Sequence, residues 1–311
     1  MSLIFGDTSI TNKEFERLRL LLSVYQDGIG MLSTDNHSLL FTNISQRKNF
    51  DKENHTNQAF EIHKISTKEK NATTLPGWRD FERAVALAFS GITFESKFIF
   101  DVVIPLDDKR YFGLSCKSKA ELNKALKPNG RVTIEVSNAA GGFWEQLRNK
   151  GITESNFREP KQAVTMGETL IEMVENWHKS VDINNNGLID ISKSSYLILL
   201  YNAQASYKLY QFALKFPDPK TLDWAIPLKP FKGENKPPEY RKCLVAKDSF
   251  GETIIEWYYG SGGQLKYYPL AKNAYWASEV FHLEPLPIGT SHGVLKRVKE
   301  YFPKLWQEAN E

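Results

Sequence analysis

The stretch that most limits what this chain can fold into is residues 98–119, FIFDVVIPLDDKRYFGLSCKSK. Two short apolar runs joined by a polar turn predict a β-hairpin. Each run carries one polar group out of keeping with it. Asp101 interrupts Phe98, Ile99, Phe100, Val102, Val103 and Ile104, and Lys117 closes the run from Tyr111 through Cys116. A carboxylate and an ammonium set among strand residues are costly to bury unless they pair or hold a metal. Side chains alternate along a strand, so Ser115 and Lys117 belong to one face and Leu114 and Cys116 to the other.

The elements around the hairpin follow from periodicity and punctuation. Thr11 and Glu14 stand as T-x-x-E, a capping box expected to open a helix over 12–26 that Asp27-Gly28 ends. Residues 36–74 are polar and read as loops. Order is expected to restart at Leu75, with a helix over 78–89 (WRDFERAVALAF) that Ser90-Gly91 stops. After the hairpin come a basic segment over 117–131 and a run from Val132 that suits strand or helix. A long helix over 160–179 and a buried strand over 196–201 follow. Beyond about 216, prolines punctuate a turn-rich region with strands expected at 242–246 and 253–259 and a closing helix at 294–307. This divides the chain into an N-terminal helix and polar insert (1–74), an α/β core (75–215) and a C-terminal β-rich part (216–311).

Composition narrows the setting. With 311 residues, 41% hydrophobic and 25% charged, the chain can bury a sizeable core as one large domain or two smaller ones. A net charge of +3 is too small to imply a nucleic-acid partner, so any such partner must be argued from local clusters. Cys116 and Cys243 do not make a disulfide framework. The opening MSLIFGDTS lacks the pattern of a signal peptide, and no apolar run approaches the roughly 20 residues of a membrane span. A cytoplasmic protein with no membrane contact is the expectation.

The Asp101 and Lys117 pair matches the needs of phosphodiester hydrolysis. That chemistry uses a divalent cation held by carboxylates, and a nearby cation that stabilises developing negative charge. Mg²⁺ takes oxygen ligands, often one or two carboxylates with water and phosphate. Asp101 fits the ligand and Lys117 the stabilising cation. The residue two places before the lysine is Ser115, where a further carboxylate would be useful, so that acid must come from elsewhere. Glu135, among Val132, Ile134 and Val136, is taken as the replacement ligand. Glu82, on the helix before the hairpin, is taken as an auxiliary acid or second metal ligand, and Glu95 is a further candidate.

At these residues the chain resembles the PD-(D/E)xK superfamily, and most closely type II restriction endonucleases. It is similar to the variant in which S-x-K replaces (D/E)-x-K and a later glutamate supplies the lost carboxylate: Asp101, then Ser115-Cys116-Lys117, then Glu135. The resemblance covers roughly residues 76–150. It implies a mixed β-sheet core flanked by helices, Mg²⁺-dependent cleavage of double-stranded DNA, and a homodimer. Lys119, Lys124, Lys127 and Arg131 would then track the DNA backbone. A non-catalytic DNA-binding protein on the same fold and a repair or structure-specific nuclease are the alternatives.

Other features carry less. A cross-strand ion pair at a sheet end would place Asp101 and Lys117 together with no chemistry at all. Residues 182–190, DINNNGLID, share spacing with a calcium loop, but Lys193 stands where a bidentate glutamate is needed. A plain Asn-Gly turn is the better reading. Gly260-Ser261-Gly262-Gly263 reads as a hairpin turn, the aromatic residues 257–276 as core or interface, and the six histidines show no ligand spacing.

Overall fold

The hairpin is the seed of a larger sheet. In the computed structural model, which describes residues 9–25, 78–93, 99–106, 109–136, 140–228, 240–258, 263–286 and 294–311, β1 (Ile92–Thr93) pairs antiparallel with β2 (Val102–Pro105). β2 in turn pairs antiparallel with β3 (Tyr111–Lys119), Val102 opposite Leu114 and Ile104 opposite Phe112. The polar insert at 36–74, the restart at Leu75, the helix stop at Asp27-Gly28, Phe98, Glu95 and the turn at 260–262 lie outside the described residues.

Two helices precede this hairpin. The first, α1 (Asn12–Ser23), opens on the expected capping box: the Glu14 N–H donates to Thr11 Oγ1 at 3.2 Å and the Thr11 N–H to the Glu14 carboxylate at 2.8 Å. The second, α2 (Trp78–Ala88), buries Phe81, Val85 and Ala88, and ends where Ser90 turns left-handed at φ 54° before Gly91.

Past β3 come the short helix α3 (Leu122–Ala125), the strand β4 (Ile134–Val136) and the helices α4 (Ala140–Asn149) and α5 (Ala163–Val181). The run from Val132 is thus strand first and helix second. The chain then enters β5 (Ser195–Tyr201), which lies parallel to β3 with Lys117 opposite Ile198. Parallel neighbours need a crossover of a dozen residues or more, and residues 120–194 supply it. The sequence SYLILLY is apolar almost throughout because both faces of β5 are covered. Leu197 and Leu199 pack with α1 and α2, while Tyr196, Ile198 and Leu200 pack with Leu122, Val132 and Ile134.

Ser206–Ala213 (β6), for which the sequence reading has no element, lies antiparallel on the far side of β5. A second, smaller sheet is wholly antiparallel. Its order is β4, then Gln264–Tyr267 (β10), Thr253–Tyr258 (β9), Cys243–Lys247 (β8) and Asp223–Ala225 (β7). Leu244, Ile255, Trp257 and Leu265 on its inner face pack on α4 and α5. Trp276–Ala277 (β11) and Phe281–His282 (β12) pair with β6, so the C-terminal region contributes strands to both sheets.

The architecture is therefore mixed α/β, with a mixed sheet core, seven strands among the described residues, flanked by helices and a β-rich C-terminal part. The expected closing helix is two helices, α6 (Val294–Tyr301) and α7 (Pro303–Asn310). Pro303 has no N–H to continue the first and has the fixed φ that suits the start of the second. Residues 182–190 form a 3-10 turn, Ile183–Asn185, with Asn186 left-handed at φ 64° and Asn184 N–H bonded to Asp182 Oδ1 at 3.3 Å. Among the described residues, no helix is long and apolar enough to cross a membrane.

Within the core of the smaller sheet, Gly167 of α5 lies under the Trp224 indole. A Cβ at Gly167 would fall 2.2 Å from Trp224 Cδ2, and the indole N–H is tied to the Pro219 carbonyl at 2.8 Å. Gly167→Ala should therefore destabilise the protein by about 1–3 kcal/mol through overpacking, although alanine favours an exposed helix by about 1 kcal/mol. Urea denaturation checks this, and a variant as stable as the parent would show that the indole yields freely.

Candidate active site

Asp101 is placed by the packing of its neighbour. The Phe100 ring lies directly over Gly113 of β3, where any Cβ would stand 2.1 Å from Phe100 Cγ. The ring is buried with Val103 and Ile189 and stacks on His178, centroids 6.1 Å apart. Gly113 is held in turn by its N–H donating to Ser194 Oγ at 2.8 Å. Burial pushes the His178 imidazole down to about 4, so it stays neutral around pH 7 and serves as an aromatic wall.

The β2–β3 ladder ends with Val102 opposite Leu114. Beyond that point the Asp101 backbone bends, its own N–H donating to the Leu114 carbonyl at 3.1 Å. The Cys116 N–H then meets the Asp101 carboxylate, at 2.7 Å to Oδ2. The same oxygen accepts from Lys117 Nζ at 2.7 Å and from Ser115 Oγ at 3.3 Å. Lys117 Nζ also donates to the Cys116 carbonyl at 2.9 Å. The pair is half-buried, with 21% of the Lys117 side chain and 29% of the Asp101 side chain exposed. Leu114 and Cys116 are buried in the helical core on the opposite face, as the alternation requires.

Glu82 belongs to this group. It lies on α2 beside Phe81, and its carboxyl is pushed up to about 7, first by burial and then by the negative charge of Asp101. Lys117, Arg79 and Arg83 pull the other way. The buried Cys116 thiol is raised well above its ordinary range, by burial and then by Asp101. It is a poor nucleophile at neutral pH.

Glu135 has ion pairs of its own. On β4 it pairs with Lys119 at 2.6 Å and with Lys266 at 3.7 Å, the latter directly across the strand pair. The basic segment is also partly engaged. Arg131 bonds Asp248 at 3.2 Å and the Tyr268 carbonyl at 2.8 Å. Lys124 stands 5.7 Å from the centre of the Tyr268 ring, and Lys127 is exposed. Sequence reasoning missed Lys266, although the alternation of QLKY in β10 carries the signal for it. It also missed the Cys116 peptide, whose N–H and carbonyl have no signature in side-chain chemistry.

The residues present fit a hard divalent cation. Asp101 and Glu82 supply two carboxylates that feel each other's charge, and the Cys116 carbonyl shares the Lys117 ammonium with Asp101. One carboxylate raising the proton affinity of another is the repulsion that a bound cation relieves. Among the described residues no group of three or more His, Cys, Asp and Glu forms a cation cage, and Mg²⁺ needs only one or two protein carboxylates. Comparison with protein-family models, with curated proteins and with solved structures finds no match to this chain.

The raised acid has a consequence for stability. A carboxyl whose folded value stands near 7 against an ordinary 4.5 contributes fully below about pH 4.5, and that contribution is lost as pH rises through 7. Without divalent ions, Glu82→Gln should melt above the parent at pH 8, and the gap should close near pH 4.5. Thermal unfolding at both pH values checks it. An advantage that ignores pH would remove Glu82 from the charged cluster.

Proposed function

We propose that this protein is a Mg²⁺-dependent endonuclease acting on double-stranded DNA, of the sequence-specific type II restriction kind. The observation that carries the reading is the Asp101–Lys117 pair at 2.7 Å on the hairpin, with a second carboxylate, Glu82, in its field. Asp101 and Glu82 would hold the cation. When bound, Mg²⁺ polarises the phosphate and lowers the pKa of a coordinated water. Lys117 directs its ammonium at a non-bridging phosphate oxygen and stabilises charge as it builds in the transition state. Asp101 orients that ammonium, and Ser115 steadies the carboxylate from the same strand face. Glu82, with a proton affinity near neutrality, is suited to take a proton from the attacking water or to keep its charge on the metal. In this reading the replacement carboxylate is Glu82, and Glu135 is not a ligand. A homodimer would present two such sites to the two strands of a palindromic sequence.

The Lys117 ammonium is already satisfied by Asp101 and the Cys116 carbonyl, and this favours one second reading. In it the pair is structural, and the protein binds DNA without cutting it.

Incubation with plasmid and phage DNA, with Mg²⁺ and with EDTA, separates the readings. Discrete Mg²⁺-dependent fragments are expected, lost in Asp101→Ala and reduced by roughly 10²–10³ in Lys117→Ala. Glu82→Gln should impair cutting strongly, and Glu135→Ala should retain it. Cutting confined to mismatches or junctions would move the protein to the repair class. Intact DNA in every lane, or full activity in Asp101→Ala, would overturn the assignment.

A further inference from the structure

Glu135 is clamped between two ammonium groups from different sheets. Lys119 at the end of β3 reaches it at 2.6 Å and Lys266 of β10 at 3.7 Å. Lys119 shares its strand face with Lys117, two residues away and so about 7 Å along the strand. That is the scale of the separation between neighbouring phosphates on one nucleic-acid strand. The three side chains are 26–27% exposed, so the cluster is open to a ligand. Lys266 is steadied over the Tyr258 ring, 5.4 Å from its centre. Its other cross-strand neighbour, Glu256, is occupied by the hydroxyls of Tyr258 at 2.9 Å and Tyr268 at 2.5 Å. The Glu135 carboxylate therefore offers these lysines what a phosphodiester offers, one negative charge spread over two oxygens.

We propose that Lys119 and Lys266 form a phosphate seat for the nucleotide next to the scissile phosphodiester, and that Glu135 fills this seat until DNA displaces it. The seat rests on the DNA-cleavage reading above and extends it to the smaller sheet. On binding, the two ammonium groups exchange the carboxylate for a backbone phosphate, and Glu135 swings to solvent. The exchange replaces one negative charge beside the lysines by another. It also makes DNA affinity depend on an acid that takes no part in the chemistry.

The test uses the full chain in EDTA, where no cutting occurs, with a short fluorescent duplex titrated at several salt concentrations. Glu135→Gln should bind several-fold more tightly with the salt slope unchanged, because the same phosphate is contacted once the carboxylate has left. Lys266→Gln should weaken binding and make the slope shallower by up to about 0.9. In a Lys119→Ala, Lys266→Gln background the gain from Glu135→Gln should vanish, because there is no seat left to free. A gain that survives in that background would mark simple loss of a negative charge and overturn the seat. Salt-dependent binding with no change in the Glu135→Gln and Lys266→Gln variants would overturn it too, and leave the cleavage reading standing. No salt-dependent binding by any of the proteins would overturn both.

Discussion

The position of β3 between an antiparallel and a parallel neighbour controls the rest of this molecule. Pairing with β2 fixes which residues face the helices, and pairing with β5 carries the same alternation into the centre of the larger sheet. Leu114 and Cys116 are committed to the core with α1 and α2, and Ser115, Lys117 and Lys119 must then share the other face. A slip of one residue would bury the lysines and expose the apolar set. The apolar demand of the core thus positions the charged groups, which could not hold the register themselves.

Within that frame the charges sort into two groups. Asp101, Lys117 and Glu82 lie at the end of the β2–β3 ladder, where a backbone N–H outlasts its strand partner and takes a carboxylate instead. Lys119, Glu135 and Lys266 lie at the seam between the sheets. Neither group is a strong source of stability, since half-buried ion pairs gain little over their desolvation cost. The first is tuned as well as paired: burial and a like charge hold one carboxyl near neutrality, a combination common where protons or cations are handled.

Much of the candidate site was legible because its logic is local. The hairpin, the face shared by Ser115 and Lys117, and the helix carrying Glu82 all follow from alternation and helical spacing over a few residues. The partner of the missing acid was less legible. Glu135 sits in a strand with apolar neighbours, as expected, but that strand is the edge of the smaller sheet and turns its carboxylate to Lys119 and Lys266. The strand character of residues 132–136 says nothing about which strand will lie beside it. The closing helix was misjudged for a local reason, Pro303, whose effect on the preceding turn outweighs a continuous helical pattern.

By itself the sequence determined the caps, the periods and the odd polar residues: the Thr11–Glu14 box, the amphipathic α2, the apolar β5, and a carboxylate and an ammonium on one hairpin. These are set by interactions between residues a few positions apart. Only the tertiary structure decided that β5 lies parallel to β3, that β4 completes a sheet made otherwise of C-terminal strands, that Glu82 lies in the field of Asp101, and that Glu135 pairs with Lys119 and Lys266. Those outcomes depend on strand pairing between distant segments. Backbone hydrogen bonds there are the same for every residue type but proline, so the choice of partner rests on how whole faces pack.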